Sequence, residues 1–298
     1  MFNPLTRGGM NIHRGIVVCA LANFVVASFS AETLVFTEPA YEAKGLSYWL
    51  REYETGMPGL HKKGDPRKVA RAEQAVRKIG TNGLPWLVQE LNAKEKIQGD
   101  ALPTNFYSGE AIGRRFLALH AFPILGLSAK DATPRLVELL DDKQTSYTAA
   151  LALEGIGVES IPVLTRALGN KNACARESAA RVLGMFGTNA HSSVSALVQC
   201  AKDQDGSVRG FATFSLGQIR KEPDVVVPVL AANLRDRNPS TRINAVYALG
   251  KFGSEAKSAI PDLLKALDEN GNDADFKERA AEMLERIEPG ITAGRNAK

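Results

Sequence analysis

The sequence predicts an all-α fold, an α-solenoid of stacked antiparallel helix pairs, and three observations carry that prediction. One helical pattern recurs seven times in 298 residues, with anchors at Val76, Phe122, Leu153, Leu183, Leu216, Leu249 and Leu284. An alanine stands four residues before every anchor, from Ala72 to Ala280, and a large apolar residue three after it, from Ile79 to Ile287. Offsets of −4, 0 and +3 share one face of a helix. A second pattern fills the gaps: "LPWLVQEL", "TPRLVELL", "IPVLTRAL", "VPVLAANL" and "IPDLLKAL", with "VSALVQCA" as a variant. Proline at a helix start, followed by leucines at +2 and +6, makes a short amphipathic second helix. A hairpin of this size cannot bury its apolar face alone, whereas stacked hairpins can.

From the N-terminus, residues 1–30 hold Arg7 and Arg14 but no acid, and "GIVVCALANFVVASFS" begins at Gly15. That run is short for a membrane span of about 20 apolar residues. With the small residues Ser28 and Ser30 it reads as a signal peptide cleaved near Ser30, so a secreted or periplasmic location is expected. The alternative is a chain membrane-anchored by an uncleaved signal. Residues 31–64, with "YEAKGLSYWLREYETG" and Trp49, read as an N-terminal capping segment over the first repeat. The repeats occupy 65–290, with an insert loop at about 93–110 where the anchor spacing widens to 46, and 291–298 read as a flexible tail.

The helix ends are written in as well. Eleven residues before six of the anchors stand Asp65, Asp142, Asn172, Asp205, Asn238 and Asp273, side chains that accept the free N–H groups of a first turn. Four residues after five anchors come Gly80, Gly126, Gly157, Gly187 and Gly253, suited to a left-handed stop. Pro123 interrupts the second copy and predicts a kink or an early end there.

Three copies carry "D-x-D/N-G/P-x-x-R" running into "A-x-x-x-L-G-x-I/F-G", or a close variant. They are Asn170, Asn172, Ala173 and Arg176; Asp203, Asp205, Gly206 and Arg209; and Asp236, Asn238, Pro239 and Arg242. Over roughly 65–288 the chain resembles the short bacterial HEAT-like repeats also found in phycobilisome lyases, and the lead-in with Trp49 resembles that of secreted bacterial HEAT proteins. The resemblance implies a structural ladder of Arg115, Arg176, Arg209 and Arg242, with Asp203, Asp205 and Asp236 partnering the last two. Val69 and Ser146 break the pattern in early copies. The alternative is a row of anion-binding arginines.

Chemistry finds little footing. None of His13, His61, His120 and His191 has metal-ligand spacing with another, so no metal site is expected. Deoxyhypusine hydroxylases, HEAT proteins too, hold iron with His-Glu pairs, but Lys62, Ala121 and Ser192 follow the three candidates here. No catalytic residue and no cofactor is assigned; Glu110 and Glu154 read as solvated. Cys174 and Cys200 lie in one hairpin with an axial offset of about 9 Å, too far for a bridge, which predicts two free thiols. Formal net charge falls from +4 to +2 once Arg7 and Arg14 are removed, against a nucleic-acid partner.

The expected function is a non-catalytic protein–protein interaction scaffold with another protein as partner and no membrane contact beyond the signal. In this fold the second helices line the concave face. Their outward positions, +1 and +4 from the proline, are Trp86 and Gln89, Arg135 and Glu138, Val163 and Arg166, Ala196 and Gln199, Val229 and Ala232, Asp262 and Lys265. An apolar centre with a charged rim is how a protein-binding surface is arranged. The competing reading is that the central residues pack on neighbouring hairpins. The alternative function is an enzyme or enzyme subunit of the HEAT-like lyase kind, acting on a tetrapyrrole or similar ligand.

Overall fold

The computed structural model describes residues 36–59, 63–94, 110–269 and 273–291. The predicted signal at 1–30, nearly all of the predicted insert and all of the predicted tail but Ile291 lie outside them. Among the described residues fourteen helices follow an entry segment: β1 (Ala40–Tyr41) and β2 (Lys44–Gly45) pair antiparallel through Glu42 and Ala43, both at positive φ, and lead into α1 (Leu46–Gly56). The first helices are α2 (Pro66–Ile79), the broken pair α4 (Glu110–Leu119) and α5 (Ala121–Leu125), α7 (Ser146–Ile156), α9 (Ala173–Met185), α11 (Gly206–Ile219), α13 (Pro239–Phe252) and α15 (Ala274–Ile287). The second helices are α3 (Leu84–Leu91), α6 (Thr133–Leu139), α8 (Ile161–Ala167), α10 (Val194–Cys200), α12 (Pro223–Asn233) and α14 (Ile260–Glu269). Consecutive first helices pack side by side, and each second helix leans on the first helix that follows it. The protein is an all-α solenoid.

All seven repeat alanines are fully buried, and no anchor is more than 1% exposed. The helix breaks ahead of Pro123, with α4 ending at Leu119. Short 3-10 turns follow each glycine stop, and all five stop glycines have positive φ. The fifth copy has Arg220 there instead, at φ 49°, and runs directly into α12 without such a turn.

Two predicted caps fail for a local reason. Asp142 accepts from the Gln144 N–H and pairs with Lys94 Nζ, each at 2.8 Å, so α7 starts later, at Ser146. The Asn172 amide donates to the Asp141 carbonyl and carboxylate and leaves the start of α9 without a side-chain cap. Asp65, Asp205, Asn238 and Asp273 cap as expected.

The motif glycine directly after three anchors, Gly184, Gly217 and Gly250, has a packing role. A Cβ on Gly184 would meet Ser215, one on Gly217 would lie 2.6 Å from Ala248 Cα, and one on Gly250 would strike Met283. Those glycines are where neighbouring first helices touch. Polar side chains tie the same seam: Ser215 Oγ donates to the Ala180 carbonyl and the Asn244 amide to that of Gly210. A buried pair bonded this way avoids the cost of unmatched polar groups.

Candidate functional site

The loops between units build the ladder, in a different register from the one expected. Arg176 places Nε and Nη2 on the Asp203 carboxylate, both at 2.8 Å, while Nη1 donates to the Asn170 and Lys171 carbonyls. Arg209 repeats this with Asp236, at 2.6 and 2.7 Å, and with the carbonyls of Asp203 and Gln204. Each aspartate therefore serves the arginine one unit earlier, because an arginine one turn into its helix lies beside the following loop. Arg242 donates only to the Asp236 carbonyl; its Nε is buried without a partner among the described residues. Arg115 reaches the Ala93 carbonyl. Asp205 is no ladder partner but the cap of α11, accepting from Ser207 and Val208 N–H.

The D-x-D spacing thus has two jobs. The first aspartate closes its loop, Asp203 on the Asp205 N–H and Asp236 on the Asn238 N–H, and receives the arginine; the second residue caps the helix. Burial, the largest single influence, pushes the Asp203 and Asp236 carboxyls up, but the hydrogen bonds from Arg176 and Arg209, the loop N–H bonds and the nearby arginine charges together outweigh it and hold both below the usual carboxylate range. With Arg176 and Arg209 each matched by a carboxylate, those two rungs are structural.

The predicted strip divides on inspection. Trp86 is a correction: only 9% exposed, it is part of the core beside Leu87 and does not point outward. Val163, Ala196 and Val229 are half-buried and pack against the core. Arg135, Glu138, Arg166, Gln199, Ala232 and Lys265 are exposed; Gln89 and Asp262 are half-buried. Charges toward the ends are matched internally: Arg135 with Glu138 at 2.6 Å, and Arg235 with Asp262 and Glu269. Gln89 accepts from the Phe36 N–H. In the middle, Arg166 has no ion pair among the described residues, so α8, α10 and α12 present Arg166, Gln199 and Ala232 over a floor of half-buried small apolar groups.

Elsewhere, His120 packs on Tyr53, ring centres 5.5 Å apart, with Glu54 Oε1 3.9 Å from Nε2; burial lowers its pKa against a smaller opposing pull from Glu54. Glu154, expected to be solvated, is half-buried, and burial raises its pKa. The thiols of Cys174 and Cys200 are free and face the Leu140 and Leu168 carbonyls. Burial, then the nearby Asp203 charge, pushes Cys200 to about 11, which keeps it an unreactive thiol at neutral pH. Among the described residues no group of three or more His, Cys, Asp or Glu could hold a metal ion, and no helix is long and apolar enough to cross a membrane.

Comparison with known proteins agrees with this architecture. No curated protein matches the sequence. Among solved structures, Kap95 in the Kap95:Nup1 complex superposes with a TM-score of 0.57 at 11% identity, covering 84% of this chain and 36% of that one. Kap121p gives 0.52 at 13%, covering 81% and 29%. The CpcE and CpcF complex of phycocyanin lyase from Nostoc sp. PCC7120 gives 0.45 at 20%, covering 52% and 99%. At these identities the likeness is one of fold. The sequence itself goes further: the model for HEAT repeats matches residues 133–205 and 194–285, together more than half of the 298, and the chain belongs to the HEAT-repeat family.

Proposed function

We propose that this chain is a non-catalytic scaffold in the cell envelope that binds another protein along its second helices. The supporting observation is the middle of that face. Arg166, Gln199 and Ala232 are exposed on three successive second helices, and the only charge among them has no internal partner, whereas charges at the C-terminal end neutralise one another. An unmatched charge on small apolar ground is suited to a partner that supplies the complement. Kap95 is known in complexes with Nup1 and with RanGDP; for this chain the reading rests on its own residues. The envelope location rests on the basic, then apolar N-terminal sequence.

Two measurements test the reading. Arg166→Glu with Ala232→Arg changes exposed atoms only, so the melting midpoint stays put. A protein retained from the native membrane and envelope fraction by the wild-type chain is lost by the double variant; identical retention by both overturns the face. N-terminal sequencing of the exported protein begins near Ala31 or Glu32; full-length chain in the soluble cytoplasm overturns the location.

A further inference from the structure

The opposite side of the stack carries a surface of another kind. Two residues before the anchors, α7, α9, α11 and α13 present Leu151, Arg181, Phe214 and Tyr247 in consecutive order. Phe214 is 37% exposed, and Met185, one turn beyond Arg181, is 54% exposed. The same position is polar toward the ends, with Gln74 on α2 and Glu282 on α15. Aromatic residues, Met and Arg are the types enriched at the centres of protein interfaces, where Val and Ala are not.

Arg181 has an unusual setting. Its guanidinium lies 4.0 Å from the Tyr147 ring centre and 5.1 Å from that of Phe211, stacked between residues of the two neighbouring helices. Stacking holds the group still and leaves its N–H donors in its own plane. Among the described residues none of those donors has an acceptor, and no carboxylate lies within pairing distance. Glu177, one turn earlier on α9, acts on it only from farther off. The ladder arginines Arg176 and Arg209, by contrast, each place Nε and Nη2 on a carboxylate and Nη1 on two carbonyls. A rigid, partly desolvated cation framed by Leu151, Phe214 and Met185 complements one chemistry: a carboxylate flanked by apolar side chains.

We propose that the first-helix side of the central units binds an acidic, apolar-flanked segment of a partner protein, with Arg181 receiving the carboxylate and Phe214 and Met185 the flanking side chains. This surface is separate from the second-helix face.

The test uses the full chain and a random peptide library displayed on phage, followed by anisotropy measurements on the enriched peptides as synthetic probes. Enriched sequences carry Asp or Glu beside Leu, Ile or Phe. Arg181→Met weakens them tenfold or more, the loss typical of a central interface residue, with the melting midpoint unchanged. Should Arg181→Met fold poorly, Phe214→Glu, at an exposed position, places a like charge against the peptide and abolishes binding in a folded protein. Lys265→Ala, on the other side, leaves affinity unchanged. Failure to enrich any peptide, enrichment of peptides without an acid, or undiminished binding by Phe214→Glu would each overturn the proposal. So would loss on Lys265→Ala equal to that on Arg181→Met.

Discussion

The central units, α9 to α13, and the first two, α2 to α5, carry the same alanine-and-anchor stripe but join their neighbours by different means. In the centre, glycine follows the anchor, backbones meet, and a buried arginine spans two loops. In the first two units the residue after the anchor is Arg77 or Pro123, and the described residues show a different ion pair there. The tie is made elsewhere: Arg114 of α4 grips Glu90 of α3 at 2.6 and 2.7 Å, with Glu90 only 6% exposed. The difference teaches that the stripe defines the unit while the joint is negotiable. A carboxylate from a second helix can replace one from a loop when the insert removes the regular spacing.

The sharpest break of that comparison is at the ladder. The side chains of Arg209 and Asp236 are 9% and 8% exposed, so Asp236→Ala leaves a buried guanidinium uncompensated and costs about 3–5 kcal/mol. Arg77→Ala, which removes an exposed pair with Glu73, costs at most about 0.5 kcal/mol. Urea melts of the two variants check this, and equal losses would deny the ladder its role.

Glycine sharpens the contrast next. Gly217→Ala sets a methyl against Ala248 and forces α11 and α13 apart, costing about 1–3 kcal/mol. Gly113→Ala in α4 meets nothing within 4 Å and stabilises by about 0.5–1 kcal/mol. Opposite signs in thermal melts are the expected outcome. Ala212→Leu and Ala245→Leu, at fully buried positions, follow Gly217, whereas Glu282→Leu, at an exposed one, is nearly neutral.

The two regions also part with pH. The depressed carboxyls of Asp203 and Asp236 contribute stability that is complete above their unfolded value of about 3.9 and lost as pH falls through their lower folded values. His120 acts earlier. Its folded pKa lies below the unfolded value of about 6.5, so the fold holds it neutral and loses stability as pH drops below that value. His120→Gln therefore flattens the stability curve from about pH 6.5 downward, and Asp236→Asn flattens it only below about pH 4. Denaturant midpoints across pH distinguish them.

The smallest effect is a repair. Arg220 stands where the other stops have glycine, in a left-handed conformation that costs a side-chain-bearing residue about 1–2 kcal/mol. Arg220→Gly recovers part of that, less the added freedom of the unfolded chain, for a net gain below about 1 kcal/mol. An unchanged midpoint would mean the strain is relieved locally.

These residues also show how far the sequence could be read. Ala72 through Ala280 and their anchors were legible because a helix face has a fixed period and burial acts on every copy alike. The caps were legible where the side chain had no competitor, as at Asp65, and not at Asn172, where Asp141 from the neighbouring unit offered the amide a better acceptor. Of the expected ladder, among the described residues, Arg176, Arg209, Asp203 and Asp236 form carboxylate rungs, and in another register, since an arginine reaches about two loops and sequence spacing cannot choose between them. Trp86 was placed outward by a +1 rule that holds at Arg135; at the start of the stack Trp86 instead lies in the core with Leu87 and Leu91. The strip and the Arg181 stack depend on which helices become neighbours, and periodicity within one helix does not carry that.

The ladder's register has a consequence for how the chain comes to be folded. Arg176 and Arg209 each hold their own loop through Nη1 and wait for the next aspartate with Nε and Nη2. The receiving group is therefore always synthesised before the group it receives. As the chain emerges from its N-terminus, Arg176 is in place before Asp203 exists, and Arg209 before Asp236. No loop needs a residue still unmade in order to close. Assembly can keep step with elongation, and the growing end always presents an unfilled guanidinium that recognises the following unit and no earlier one.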